Sequence, residues 1–290
     1  MRIFEPHIHC YSRTTDDYEA MALAGIEGVC EPAFWLGQPR THAATFKDYF
    51  DTLLGWERHR ASQFGIRHYC TMGLNPKEAN DDRLNDDVLE LVKEYVHKDG
   101  VVAVGEIGYD DITPTEERIF QAQIQIAIDA NKPILIHTPH RDKTGGVQRT
   151  LDVVRESGIE PSMVLVDHNT EMTIPMVKGT GYYAGFSIYP NTKMTPERMV
   201  EIFRRFGTER MIINSAADWG ISDPLLVPKT VQVMRKAGMD EDEIEEVVWR
   251  NPINFFAPSG QIAFSDFDRD RSIDRTKLHQ GNSVLRGQKP

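Results

Sequence analysis

The sequence predicts an α/β protein of the (β/α)8, or TIM, barrel class: eight parallel strands, an extra C-terminal helix and a polar tail. Three observations predict it. Short apolar runs of strand type alternate with longer segments of helical period, and the alternation repeats about eight times. Units of β followed by α imply parallel strands joined by crossovers. The chain has 290 residues, enough for one barrel of about 250 residues and a short extension. An open doubly wound sheet has the same alternation, and periodicity does not separate the two.

The elements follow that rhythm in order. A strand over residues 3–9 opens the chain, and a helix over 15–24 follows. Val29 and Cys30 form the apolar run of a strand over 28–31, stopped by Pro32, and residues 42–64 carry Phe46, Phe50, Leu53 and Leu54 at helical spacing. A strand over 68–73 precedes a helix over 84–98, which ends before Gly100. The valine-rich run 101–107 reads as the fourth strand. The next helix, 116–131, is expected to start at Thr115, before the Glu116 and Glu117 pair. Ile134–His137 is the fifth strand, and a helix over 147–157 stops at Gly158. A strand over 163–167 and a helix over 174–178 make the sixth unit, a strand over 182–187 and the helix Pro196–Phe206 the seventh, and Met211–Asn214 with a helix over 225–237 the eighth. An acidic helix over 240–257 closes the barrel. We assign residues 1–258 to the barrel and 259–290 to a polar tail, rich in Asp and Arg from Asp266 onward, that is expected to be mobile or to dock on a neighbouring subunit.

Composition narrows the function classes. Lys plus Arg number 33 against 44 Asp plus Glu, a formal net charge of −11. Phosphate backbones are gripped by clustered positive charge, so nucleic acid is a disfavoured partner and a small-molecule substrate is expected. No stretch approaches the roughly 18 apolar residues of a membrane helix, so no membrane partner is expected. The opening residues 1–7 contain no apolar run with a small-residue cleavage site, and the cytoplasm is the expected compartment. Cys10, Cys30 and Cys70 lie far apart, in or beside strands, and read as buried free thiols. Gly145 and Gly146 lack the spacing of a phosphate-binding loop, and no Gly-x-Ser-x-Gly elbow occurs.

The ionisable residues fall at strand ends. His7 and His9 close the first strand as His-Ile-His, where alternate side chains share a face. Glu106 ends the fourth strand, His137 the fifth and His168 the sixth, while Asp218 follows the eighth. In a barrel those ends converge on one mouth, which gathers four imidazoles and two carboxylates around one cavity. That donor set suits Zn²⁺, Mn²⁺, Fe²⁺ or Mg²⁺, and six ligands can hold two ions. Singly, each residue has a plainer reading: a hydrogen-bonded histidine pair, a helix-capping glutamate, a satisfied core histidine. Their coincidence at one edge of successive apolar strands, where an unpaired polar group costs about 1–3 kcal/mol, favours the site. Glu31, ending the second strand, is expected either as a further ligand, with a third ion, or as a carboxylate that orients a ligand. His140 and Arg141 are candidates for binding an anionic substrate group. Trp219 and Trp35 are candidates for the pocket wall.

These motifs resemble the TatD-like metal-dependent hydrolases, which belong to the amidohydrolase-type barrels. The resemblance is carried by His7-Ile-His9, Gly105-Glu106-Ile107-Gly108-Tyr109-Asp110, Pro133-Ile-Leu-Ile-His137, Asp167-His168, Asp218 and Asn251-Pro-Ile-Asn-Phe-Phe256, spanning residues 3–256. It implies that His7 and His9 bind a first metal, Glu106 bridges, His137 and His168 bind a second, and Asp218 ligates and handles the proton. The chain departs from the nuclease pattern at the eighth strand, where Asn214-Ser-Ala-Ala-Asp218-Trp-Gly replaces Glu-Thr-Asp-Ser/Ala-Pro. It departs again after the fifth strand, which runs Thr138-Pro-His140-Arg141-Asp142-Lys143, and at the second, where Cys30-Glu31-Pro32 puts a carboxylate at the mouth. In these respects it is similar to the divergent TatD-like members encoded with ebo-type secondary-metabolite genes.

The expected reaction is hydrolysis by a hydroxide activated at a dinuclear centre, with Asp218 and Glu106 as catalytic carboxylates, on a small-molecule phosphoester, ester or amide. The alternatives are a TatD-like 3′-exonuclease, a metal-dependent sugar isomerase, and a non-catalytic metal-binding scaffold.

Overall fold

The computed structural model describes residues 1–269. Its strands are β1 (Ile3–Glu5), β2 (Ile26–Glu31), β3 (Arg67–Met72), β4 (Val101–Gly108), β5 (Ile134–His137), β6 (Val164–Val166), β7 (Tyr183–Ser187) and β8 (Met211–Asn214). Each is hydrogen-bonded in parallel to the next in chain order. That order separates the two sheet architectures, because a doubly wound sheet reverses its strand order at a switch point and this one does not. The sheet is a nearly closed barrel. At its seam, between β8 and β1, the Ala216 N–H donates to His7 O and the His9 N–H to Ala217 O, both at 2.9 Å. Buried Glu5 reinforces the seam, accepting from Ser215 N at 3.1 and 3.2 Å and from His7 N at 3.3 Å.

Local chemistry moves several expected boundaries. β1 stops at Glu5 because Pro6 has no N–H to donate. His7–His9 still runs beside β2, with the Ile8 N–H donating to Cys30 O at 3.2 Å. The fourth-unit helix begins at Pro114, not after Thr115. Thr113 caps it and accepts from Glu116 N, the Glu116 side chain bonds back to Thr113 N, and Pro114 takes the first turn, where a missing N–H does no harm. Lys143–Ser157 starts earlier than expected because Asp142 caps it through Gly145 N. The closing acidic helix is broken into Glu241–Glu245, a wide turn over Glu246–Arg250, and Asn251–Phe256.

The floor of the barrel is aromatic. Phe4 meets Phe256 at 6.0 Å and Phe267 edge-on at 6.1 Å between centroids, and Phe267 meets Trp249 at 4.9 Å. The chain past residue 258 thus continues against the barrel through Phe267, which is buried. The remainder of the expected tail, residues 270–290, lies outside the described residues. Cys10, Cys30 and Cys70 are buried free thiols. Among the described residues no helix is long and apolar enough to cross a membrane.

Candidate active site and metal centre

Glu106 occupies the middle of the mouth. Its strand slips register there: Gly105 pairs with Leu135, but Ile107 with Ile136, so one side chain is re-aimed. The flanking glycines make this approach feasible. A Cβ on Gly105 would stand 2.8 Å from Leu135 Cβ, and one on Gly108, at φ +128°, would stand 2.3 Å from His137 O. The Gly-Glu-Ile-Gly block is thus the local sequence of a strand pressed against β5 around a buried carboxylate.

Three imidazoles converge on one Glu106 oxygen. Oε1 lies 3.3 Å from His7 Nε2, 3.3 Å from His168 Nε2 and 3.5 Å from His137 Nδ1. His9 Nε2 stands 3.2 Å from His7 Nε2, and His168 Nε2 stands 3.1 Å from His137 Nδ1. Oε2 accepts from Asn75 Nδ2 at 3.0 Å. Behind this group, Asp167 Oδ2 accepts from His7 Nδ1 at 2.6 Å, and Asn214 Nδ2 bonds both Asp167 oxygens at 3.0 Å. Ser187 Oγ holds His168 Nδ1 at 2.7 Å. His168 adopts φ +60°, a left-handed turn seldom used by non-glycine residues.

This donor set fits divalent ions. With its Nδ1–H given to Asp167, a neutral His7 turns a bare Nε2 lone pair toward a carboxylate oxygen, so acceptor faces acceptor. Among the described residues, His9 Nδ1 and His137 Nε2 are buried with no hydrogen-bond partner. The electrostatics carry the same message: burial works against charging His7, yet Glu106 and Asp167 outweigh it and raise its pKa. A proton is the smallest cation this nest can recruit. Burial alone would raise Glu106, but His7 and bonds from His137 and His168 hold its carboxyl well below the usual range. Burial, then the neighbouring His7, pushes His9 down to about 3.

His7, His9, Glu106, His137 and His168 are therefore brought together. Asp218 stands at the rim, half-buried, its Oδ1 accepting from Tyr189 Oη at 3.3 Å and Gly220 N at 2.8 Å. Glu31 is placed elsewhere: it accepts from Tyr11 N at 2.7 Å, meets His68 Nε2 at 2.8 Å, and joins Cys10 and His68 in a separate buried group. Reaching a strand end fixes a residue's height in the barrel but not the side its carboxylate serves. His140 is exposed, its ring 6.2 Å from His137 and 6.4 Å from His168. Arg141 is turned to solvent, its side chain 89% exposed and 3.4 Å from Asp111. Trp219 stacks on Phe34 at 5.7 Å, Phe34 stacks on His9 at 3.9 Å, and Trp35 meets Phe34 edge-on at 6.0 Å. Sequence reasoning missed the supporting roles of Asp167, Asn75 and Ser187 and the presence of Lys193, whose Nζ is 3.2 Å from His168 Nδ1. Adjacency to His168 was the one signal for Asp167; the others sit at strand ends or in loops that carry no period.

Residues 7–257 match the protein-family profile described as TatD related DNase. An uncharacterised metal-dependent hydrolase of Methanocaldococcus jannaschii is 27% identical over 257 residues, 88% of this chain and 99% of the relative. A 3′-5′ ssDNA/RNA exonuclease TatD of Pectobacterium carotovorum is 40% identical over 76 residues, 24% of this chain and 28% of the relative. In three dimensions the chain is similar to the TatD-like protein of Archaeoglobus fulgidus, with TM-score 0.73 and 24% identity over 88% of this chain and 99% of that one. The profile match begins at the first imidazole and ends just past the closing helix. The chain is an enzyme and belongs to the TatD family of metal-dependent hydrolases.

Proposed function

We propose that the protein hydrolyses a small-molecule phosphoester, with carboxylic esters and amides as further substrates of the same chemistry, using two divalent ions at the barrel mouth. The observation that carries this reading is the meeting of His7 and His168 Nε2 on a single Glu106 oxygen, at 3.3 Å each. His7 and His9 would hold one ion and His137 and His168 the other, with Glu106 between them and Asp218 offering a carboxylate from the loop after β8. Zn, Mn, Fe and Mg suit these donors. Bound there, two ions bring the pKa of a water toward neutrality and polarise the substrate oxygen.

The remaining work belongs to the chain. Asp218 is assigned to take the water's proton on Oδ2 and return it to the leaving group, since Tyr189 and Gly220 hold Oδ1. Asn75 orients Glu106, and Asp167 orients His7. The Trp219 and Phe34 rings offer a wall for a flat leaving group. Three buried free thiols favour a reducing, cytoplasmic setting, and residues 1–258 are the catalytic unit.

A second reading, 3′-exonuclease, is favoured by the partial likeness to the Pectobacterium enzyme and opposed by the net charge of −11. Metal analysis of purified protein, with assays of p-nitrophenyl phosphate and of a 3′-labelled oligonucleotide, tests both. Bound ions near two per chain with release of nitrophenol are expected. Shortening of the oligonucleotide alone selects the second reading, and a protein that neither holds cations nor responds to them overturns the first.

A further inference from the structure

We propose that Lys193, backed by Lys143 and Lys77, forms a cationic collar over the mouth that recognises a dianionic substrate group, so that the substrate class is a phosphomonoester, not a neutral ester or triester. For the bond that is cleaved, this assignment rests on the hydrolase reading above; for the anion that is bound, it stands apart.

The three lysines come from the segments that follow β3, β5 and β7: Lys77 in the short helix Pro76–Ala79, Lys143 at the first residue of the helix Lys143–Ser157, and Lys193 in a turn. Lys193 Nζ is 3.2 Å from His168 Nδ1. Lys143 Nζ bonds Thr138 O at 3.1 Å and Thr138 Oγ1 at 2.5 Å. Lys77 Nζ pairs with Asp110 at 3.1 Å and lies 5.5 Å from the Trp35 ring centroid. Thr138 follows His137 in the chain and Asp110 Oδ1 lies 4.0 Å from His137 Nε2, so all three ammonium groups flank the His137–His168 pair.

The charge balance is unusual for so acidic a protein. Lys47, Lys93, Lys98 and Lys229 on the surface each pair with a carboxylate. Among the described residues, no carboxylate lies within 4.0 Å of the Lys193 or Lys143 ammonium, although neither side chain is exposed. Asp167, Glu106 and Asp218 act on Lys193, and Asp167 on Lys143, only from beyond that distance, and a cation held away from water with no carboxylate in contact is costly unless an anion joins it. Lys143 has a plainer role available, capping the Thr138 carbonyl. Lys193, by contrast, would lose its nearest acceptor, His168 Nδ1, once a metal is bound. When His168 Nε2 ligates an ion, its Nδ1 must carry the proton and donate it, and Ser187 Oγ already accepts at 2.7 Å. The Lys193 ammonium then faces another donor and needs an acceptor from elsewhere. An oxygen of an anion held at the mouth would supply one.

Inorganic phosphate is the probe. Its affinity for the metal-loaded holoenzyme, read by titration calorimetry, is expected to weaken about tenfold in K193Q, and further in K193Q/K143Q, because a charge-assisted hydrogen bond is lost. K193R keeps the charge and should bind within a few-fold of wild type, which separates lost charge from a damaged fold. In parallel, the ratio of kcat/KM for p-nitrophenyl phosphate to that for p-nitrophenyl acetate should fall about tenfold in K193Q. Unchanged phosphate binding in both K193Q and the double variant overturns the collar. Phosphate binding that follows the expected order, with no turnover of either ester, keeps the collar and rejects the hydrolase reading.

Discussion

Asp167 Oδ2 accepts a 2.6 Å hydrogen bond from His7 Nδ1, joining the exit of β6 to that of β1 and aiming His7 Nε2 at Glu106. Carboxylates in this position fix the tautomer and ring orientation of a metal-binding histidine, and their loss typically costs 10–100-fold in affinity or activity. Asp167→Asn keeps the volume but removes the charge, and should weaken divalent-ion binding by about 10–100-fold. Competition with a chromophoric chelator measures this. Metal affinity equal to wild type would remove Asp167 from the centre.

Asp218→Asn should lower kcat by about 10²–10⁴-fold while the far-ultraviolet dichroism and thermal midpoint stay close to wild type. His7→Ala should lose both turnover and bound cation. Near wild-type rates in Asp218→Asn on a responsive substrate would transfer the proton to another group.

Trp219 is 47% exposed and stacks on Phe34, which stacks in turn on His9. An aromatic leaving group laid on this wall gains roughly 0.5–1.5 kcal/mol. Trp219→Ala should therefore raise KM for aryl esters about two- to tenfold, with a smaller effect on alkyl esters. An equal effect on both would mean that the ring shapes the loop and does not touch the substrate.

Burial raises Glu31 from 4.5 to about 8. The folded protein then holds a proton that the unfolded chain releases above 4.5, so this contribution to stability is complete below pH 4.5 and is lost as pH climbs through about 8. The thermal midpoint should fall across that interval, and Glu31→Gln, which stays neutral, should flatten the fall. A parallel curve for the variant would show that Glu31 is ionised in the fold, balanced by His68.

Phe267 is buried against Phe4, Tyr69 and Trp249. Phe267→Ala should cost about 3–5 kcal/mol, read as a lower urea midpoint at unchanged slope. A loss below about 1 kcal/mol would mean that the floor closes without it.

Much of this centre was legible because strand ends in a barrel share one rim. His7, His9, Glu106, His137 and His168 needed only their strand to be recognised for their height to follow. Glu31 satisfied the same rule and went elsewhere, because height does not specify which neighbours a side chain meets; that depends on barrel curvature and on the path of residues 10–12 above it. Lys193 was illegible for another reason. Loops after strands have no hydrophobic period, and the turn that brings Lys193 back to His168, through Tyr189 N to Met194 O at 2.9 Å, depends on contacts that close only in three dimensions. The helix starts show the same limit on a smaller scale: Thr113 and Thr115 both precede glutamates, and Pro114 decides between them.

The seam between the last strand and the first is fastened beside the paired imidazoles by Ala216 N on His7 O, His9 N on Ala217 O and Ser215 N on Glu5, while Asn251 Nδ2 holds the entrance of β8 through Thr208 O and Met211 O, both at 2.9 Å. The hoop is thus buckled where its chemistry takes place. Cations shared between β1 and the other strands would act as rivets across that buckle, so stripping them should relax the joint between the two ends of the polypeptide before it disturbs the valine-lined staves on the far side.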